Sequence, residues 1–343
     1  MSGWEPDVLA GYWQRTFALG PDPDGEGELE ATLVRRGEPN RSAARAVLMV
    51  HGFTDYFFNT GLAEHFASHG FASYALDLHK CGRSHRQGQT PHFTTNLARY
   101  DAELEQALDT IAAETDAPVL VYGHSAGGLV VSLWLDRRRA AAAPAKGVSG
   151  LILNSPWLDL QGHPVLRTAP TSAALLALGR LRKRAVVRRP SDGGYGTTLH
   201  RDYDGDFDYN LTWKPVGGFP VTVGWIHAIR RGQARLHRGL DVGVPNLILR
   251  SDRSVREVSD PAAIQRGDAV LDVAQIARWA GCIGHRTSIV PIVDAKHDVF
   301  LSVPESRQLA YAELDRWLHW YLTDHRAENP APPTPSRRPD AHG

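Results

Sequence analysis

Cysteine is scarce in this chain. Among 343 residues there are two, Cys81 and Cys282, far apart and without metal-type neighbours. That excludes a disulfide framework and a cysteine-based zinc module, and it makes a reduced, cytoplasmic setting the expectation. Charge of one sign is absent too. The 38 Lys and Arg residues balance 38 Asp and Glu, for a formal net charge of zero. A protein that depends on bulk attraction to nucleic acid is thereby excluded. No run is long and apolar enough to span a bilayer. The opening Met1-Ser2-Gly3-Trp4-Glu5-Pro6-Asp7 has no basic region followed by an apolar stretch, so no signal peptide is expected. The histidines are scattered, with no H-E-x-x-H or comparable cluster, so the expected chemistry needs neither a metal nor an organic cofactor.

What is present is alternation. Residues from about Tyr12 to Arg36 read as two antiparallel strands broken by Pro21-Asp22-Pro23-Asp24-Gly25. Strands at Ala46–Val50, Phe71–Leu76 and Leu151–Leu153 then alternate with helices at Leu62–His69 and Asn96–Glu114. The long helix carries Leu97, Tyr100, Leu104, Leu108 and Ile111 on one stripe. The rhythm stops after Ser155 and resumes with a strand at Asn246–Leu249, a helix near Val273–Ala280, a strand at Ser288–Val293 and a closing helix from Glu305 to Tyr321. This pattern predicts an α/β fold with a mostly parallel sheet covered by helices on both faces. Residues 1–155 and 244–326 form the expected core. Residues 156–243 read as an inserted cap, too long for a plain loop, and the proline-rich 327–343 as a disordered tail.

The most informative motif is Gly123-His124-Ser125-Ala126-Gly127. A G-x-S-x-G match can arise by chance in a glycine-rich chain. Here it follows the apolar run Pro118–Tyr122 and precedes a proline-free helical stretch, Gly128–Arg139. Strand, tight turn and helix together describe a nucleophile elbow, whose serine sits in a strained backbone flanked by small residues. The helix beginning there aims its free N–H groups and positive dipole end at the reacting centre.

A serine hydroxyl needs a base, usually histidine oriented by a carboxylate. With an elbow of this type the chain order is Ser, then Asp or Glu, then His. His297 fits the last place, after a strand and before the final helix, whereas His285 precedes the strand and His319 is mid-helix. The acid should follow the strand ending at Arg250. Asp252 is nearest, but Ser251–Gly267 reads as an inserted loop. Asp268 then stands where an acid followed by an apolar pair and a helix belongs, and it is favoured over Asp252, with Asp272 third. Each of the three could instead cap a helix or sit in a solvated turn. Two fixed N–H donors are needed for a tetrahedral oxyanion. The amide of Ala126 is the first expected donor, and that of Phe53, in the turn His51-Gly52-Phe53-Thr54-Asp55, the second.

His51-Gly52, Asp77-Leu78-His79-Lys80-Cys81-Gly82-Arg83-Ser84, the elbow pentapeptide and His297-Asp298 together resemble an α/β-hydrolase. They are most similar to the monoglyceride lipase and lysophospholipase branch, of serine aminopeptidase type. Asn154-Ser155-Pro156-Trp157-Leu158-Asp159-Leu160 and Asp268–Val273 resemble an actinobacterial, lysophospholipase-like subgroup. The resemblance covers roughly Val47 to Leu322. It implies an eight-stranded sheet, a cap over the site, and ester hydrolysis through an acyl-enzyme. Carried over, it makes Ser125 the nucleophile, His297 the base, and Phe53 and Ala126 the oxyanion donors. The usual short glycine-containing turn after the acid's strand is replaced by Arg250-Ser251-Asp252 and an insertion.

The expected substrate is an ester or lipid, of lysophospholipid or monoacylglycerol type. A thioesterase, peptidase or lactonase would use the same machinery, and a non-catalytic binding protein would predict a broken triad. In the cap, Trp157, Tyr195, Tyr203, Phe207, Tyr209, Trp213, Phe219 and Trp225 could line an acyl pocket or simply form a subdomain core. The basic run Arg180–Arg189 could meet a lipid surface or a phosphate head group, or be a solvated face.

Overall fold

A computed structural model describes residues 3–141, 147–160, 182–190, 193–256, 260–284 and 286–323. The tail expected at 327–343, His285, and the first two residues of the basic run lie outside the described residues.

The turn-rich Pro21–Gly25 joins β2 (Tyr12–Pro21) to β3 (Glu28–Arg36), an antiparallel hairpin. Then come β4 (Arg45–Val50), β5 (Phe71–Asp77), β6 (Val119–His124), β7 (Val148–Asn154), β10 (Asn246–Ser251) and β11 (Thr287–Ile292). These six pair in parallel in the order β5-β4-β6-β7-β10-β11. The eight strands are joined by a ninth, the two-residue β1 (Glu5–Pro6), which pairs with β2 at the edge. A separate two-stranded ribbon, β8 (Val186–Arg188) with β9 (Val221–Thr222), lies within the expected cap.

Side chains alternate across the sheet, so its two faces build two cores. Leu48, Val50 and Val121 join one cluster with α2 (Asp101–Thr115) and α3 (Ala126–Ala140). Val47, Met49 and Leu120 join the other, with α1 (Thr60–Ser68) and the closing helix α7 (Pro304–Thr323). Apolar residues on both faces of each strand are what a helix-covered parallel sheet requires.

Two elements depart from the sequence reading. The Asn96–Glu114 stretch opens as a 3-10 turn, Leu97–Tyr100, capped by the Asn96 side chain on the amide of Ala98, and becomes α-helical only at Asp101. Within the expected cap lies α4 (Val223–Leu236), whose Trp225, Ala228, Ile229 and Leu236 pack in the same core as α3. This part of the segment shares the main core. Among the described residues the other α-helices are α5 (Pro261–Ile264) and α6 (Val273–Trp279).

The chain leaves β4 to one side for β5 and returns to the other side for β6. Such a switch opens a crevice at the carboxyl ends of the strands, the usual place for a ligand in this kind of sheet. The turns after β4, β6, β10 and β11 all emerge at that edge.

Candidate active site

Ser125 follows β6 and precedes α3 with φ +52° and ψ −119°, a left-sided conformation that costs a non-glycine residue of order 1–3 kcal/mol. Neighbouring bonds hold it. Its amide donates to the Asn154 carbonyl at 2.9 Å, and its carbonyl accepts from the amides of Gly128 at 3.1 Å and Trp157 at 3.0 Å. Small flanks are compulsory: a Cβ on Gly127 would lie 2.2 Å from the His51 carbonyl oxygen.

The turn after β4 packs directly against this elbow. Leu78 N donates to His51 Nε2 at 3.1 Å, so the ring proton sits on Nδ1, which donates to the Gly52 carbonyl at 2.8 Å. In a trans peptide the C=O and N–H point in opposite directions. Fixing the Gly52 carbonyl therefore also aims the Phe53 amide, which belongs to the same peptide unit. Among the described residues neither the Phe53 nor the Ala126 amide has a hydrogen-bond partner.

His297 follows β11 and is buried. Its Nδ1 lies 2.9 Å from Asp268 Oδ2, while its Nε2 is buried with no partner. Asp268 is fully buried, and its other oxygen accepts from the amides of Val270 at 2.8 Å and Leu271 at 2.7 Å. Facing a carboxylate oxygen, Nδ1 is the donor nitrogen of the ring. Nε2 is then left as the free base.

Asp268 reaches this place across the inserted loop by a single backbone rung. Its amide donates to the Arg253 carbonyl at 3.0 Å, and its carbonyl accepts the Val255 amide at 2.8 Å. The other carboxylates considered are engaged elsewhere. Asp252 accepts the Asp294 amide at 3.0 Å and pairs with Arg253. Asp272 caps α6 through the amide of Ala274. His319 is exposed on α7.

Ser125, His297 and Phe53 line one cavity of about 520 Å³, whose walls include Trp157, Phe219, Trp225, Val270 and Leu271. Phe53 and Trp225 are in ring contact, with centroids 4.0 Å apart. Of the cap aromatics, Tyr209, Phe207, Trp213 and Tyr195 instead join a small cluster with Tyr56 and Phe58, although Tyr195 and Tyr209 also reach the cavity wall. Tyr203 is exposed.

The contacts of two residues had no signal in the sequence. Asn154 links the Ser125 turn to the loop bearing His297: its Nδ2 donates to Asp298 Oδ1 at 2.7 Å, and its Oδ1 accepts the Val299 amide at 3.2 Å. Lys214 reaches in from the cap to Asp55 at 2.7 Å. Burial would raise the Asp55 pKa, but Lys214, His124 and His51 outweigh it and hold it below the usual value. Burial pushes the pKa of His124 itself down. As for metals, His65, His69 and Asp315 meet on α1 and α7, where both rings contact Asp315 Oδ1, at 2.7 and 3.3 Å. That cluster does not line the cavity.

The comparisons agree with this architecture. The family model described as serine aminopeptidase, S33, matches residues 41–266, a stretch that ends just before Asp268. A phospholipase of Bacillus subtilis (strain 168), YtpA, is 31% identical over 117 residues, 34% of this chain. The alignment spans 41% of that protein's length. A soluble variant of monoglyceride lipase from Saccharomyces cerevisiae, solved with a substrate analog, superposes with TM-score 0.61 at 16% identity, covering 94% of this chain and 99% of its own. A monoacylglycerol lipase of Paleococcus ferrophilus gives TM-score 0.59 at 18% identity, covering 85% and 100%. The solved structures share the fold, and the matched sequence carries the family: this chain belongs to the serine aminopeptidase, S33, family of α/β-hydrolases.

Proposed function

We propose that the protein is a serine hydrolase that cleaves carboxylic esters of the monoacylglycerol or lysophospholipid type through an acyl-enzyme. The observation that carries this reading is the buried, partnerless Nε2 of His297, oriented from behind by Asp268, in the cavity that Ser125 lines. In the proposed sequence His297 Nε2 takes the Ser125 proton as Oγ attacks the ester carbonyl. The amides of Phe53 and Ala126 receive the oxyanion, each such donor being worth on the order of 3 kcal/mol. Collapse breaks the C–O bond, and the imidazolium returns its proton to the departing alcohol. Water, deprotonated by the same nitrogen, then attacks the acyl-enzyme and releases the acid and free Ser125.

The walls favour an ester with an apolar acyl chain. They do not favour an aminopeptidase substrate, whose ammonium needs a free carboxylate. Among the described residues the one carboxylate lining the cavity is Asp55, already paired with Lys214. The lipase and phospholipase named above point the same way.

A fluorophosphonate probe followed by peptide mapping tests the mechanism. A single adduct on Ser125, blocked by pre-incubation with a monoacylglycerol, is expected. No adduct, or one elsewhere, overturns it. Turnover of acyl thioesters or aminoacyl anilides in preference to p-nitrophenyl esters would overturn the ester assignment alone.

A further inference from the structure

The basic run flagged in the sequence divides into two halves with different surroundings. Lys183 Nζ pairs with Asp24 at 2.9 Å, and Arg184 Nε with Glu26 at 3.0 Å. Arg184 also donates to the Asp24 carbonyl at 2.7 Å. These two cations fasten the cap to the hairpin turn between β2 and β3, where Asp24 and Glu26 face them. Arg188 and Arg189 line the cavity. Neither side chain has an ion pair, hydrogen bond or ring contact among the described residues.

We propose that Arg188 and Arg189 form a subsite for an anionic group, so that the preferred substrates are amphiphilic esters carrying a phosphate, sulfate or carboxylate remote from the scissile carbonyl. This rests on the ester-hydrolase reading and narrows it. The other ionic side chains lining the cavity, Lys214 and Asp55, face each other at 2.7 Å. Among the described residues the two guanidinium groups are thus the uncompensated charge on a lining otherwise rich in aromatic rings. Low-dielectric walls around charge of one sign concentrate its field on whatever enters.

The subsite is anchored. Arg188 ends β8, whose partner β9 holds it through Val186↔Thr222 and Arg188↔Val221. Just before and after the ribbon, Val223 N donates to the Ala185 carbonyl at 2.9 Å and Gly224 N to the Lys183 carbonyl at 2.8 Å. Val221 itself lines the cavity. A guanidinium offers a planar fork of donors that matches phosphate or carboxylate bidentately. Both arginines are solvent-exposed, which puts them at the mouth. There an anionic head can keep part of its hydration while an acyl chain runs along Trp157, Phe219 and Trp225.

The test is a binding measurement in the Ser125→Ala background, which removes turnover from the readout. Dodecyl phosphate and dodecanol, both below their aggregation limits, are titrated calorimetrically. Dodecyl phosphate should bind at least tenfold more tightly, and R188Q/R189Q should abolish that margin while R188K/R189K restores part of it. Adding 0.5 M NaCl should shrink it, because exposed charges are screened. Equal affinity for the two probes, or a margin that survives R188Q/R189Q, overturns the proposal. An inorganic phosphate arm separates sources: binding of inorganic phosphate as tight as that of dodecyl phosphate would mean a free-phosphate site and overturn the amphiphile assignment. Sedimentation with phosphatidylglycerol vesicles supplies the last arm. Arginine-dependent vesicle binding without a dodecyl phosphate margin means surface docking, and that also overturns it. Turnover of neutral p-nitrophenyl esters by the unmodified enzyme separately reports the ester-hydrolase reading. If that turnover is absent but the phosphate margin is present, the function falls and the subsite stands.

Discussion

Asn154 and Asp298 are joined by a 2.7 Å hydrogen bond, amide nitrogen to carboxylate, that spans the end of β7 and the loop bearing His297. The same asparagine accepts the Ser125 amide through its carbonyl. One fully buried residue therefore holds the Ser125 turn through its backbone and the His297 loop through its side chain. Asn154→Ala leaves the Val299 amide without its acceptor. It should cost about 1–3 kcal/mol of stability. Because it acts on alignment, kcat should fall on the order of tenfold or more with KM nearly constant, in steady-state kinetics read beside a denaturation curve. A KM effect alone would contradict this role.

Asp268→Asn and Asp252→Asn should separate cleanly. The first leaves shape intact but favours the wrong tautomer at His297, and kcat should drop about 10^3–10^4-fold. The second weakens a hydrogen bond to the Asp294 amide and an exposed pair with Arg253. It should change kcat less than about twofold, since exposed pairs contribute 0–1 kcal/mol. The reverse order would move the acid to Asp252.

His51→Ala should impair the oxyanion pocket without emptying the cavity. The Gly52 carbonyl loses its fixed donor, and the Phe53 amide its direction. A fall of about 10^2 in kcat is expected, the scale of losing one oxyanion donor. Fluorophosphonate labelling should slow with it, and a labelling rate equal to the parent's would count against the assignment.

Lys296 precedes His297 and is buried, with Nζ donating to the Thr198 carbonyl at 2.5 Å. Burial pulls its pKa down from 10.5 to about 8. The folded state then binds this proton more weakly than the unfolded chain does. Its charge penalises the fold below pH 8, and stability recovers as pH rises from 8 to 10.5. At about 1.4 kcal/mol per unit, the full recovery is on the order of 3 kcal/mol. Urea denaturation of the parent and Lys296→Met across pH 7.5–10.5 checks this: the difference between the two should narrow or reverse with rising pH. A pH-independent difference would refute it.

The elbow was legible because it is local. Strand, small residues and helix follow one another within Pro118–Arg139, and each side of the turn has its own sequence signal. His297 was legible from order alone. Asp268 was only half so, since the 251–267 insertion breaks the spacing and the rung that bridges it is made by backbone atoms, which carry no sequence signature. Helix α4 was missed because Gly224, Gly232 and Gln233 stand on its buried stripe, where an apolar side chain would have signalled a helix. The structure uses Gly232 as a contact, where a Cβ would lie 2.8 Å from Leu133 Cδ1. Asn154, Lys214 and the Lys183–Asp24 pair could not be read at all. Their partners lie more than a hundred residues away, and a polar side chain does not announce its distant partner.

The rung between Arg253 and Asp268 has an evolutionary and practical corollary. It pins both ends of the intervening segment, so the length of that segment is decoupled from the position of the carboxylate beside His297. The exposed Asp260–Ala262 within it is then a place where a reporter peptide can be grafted while Asp268 stays beside His297.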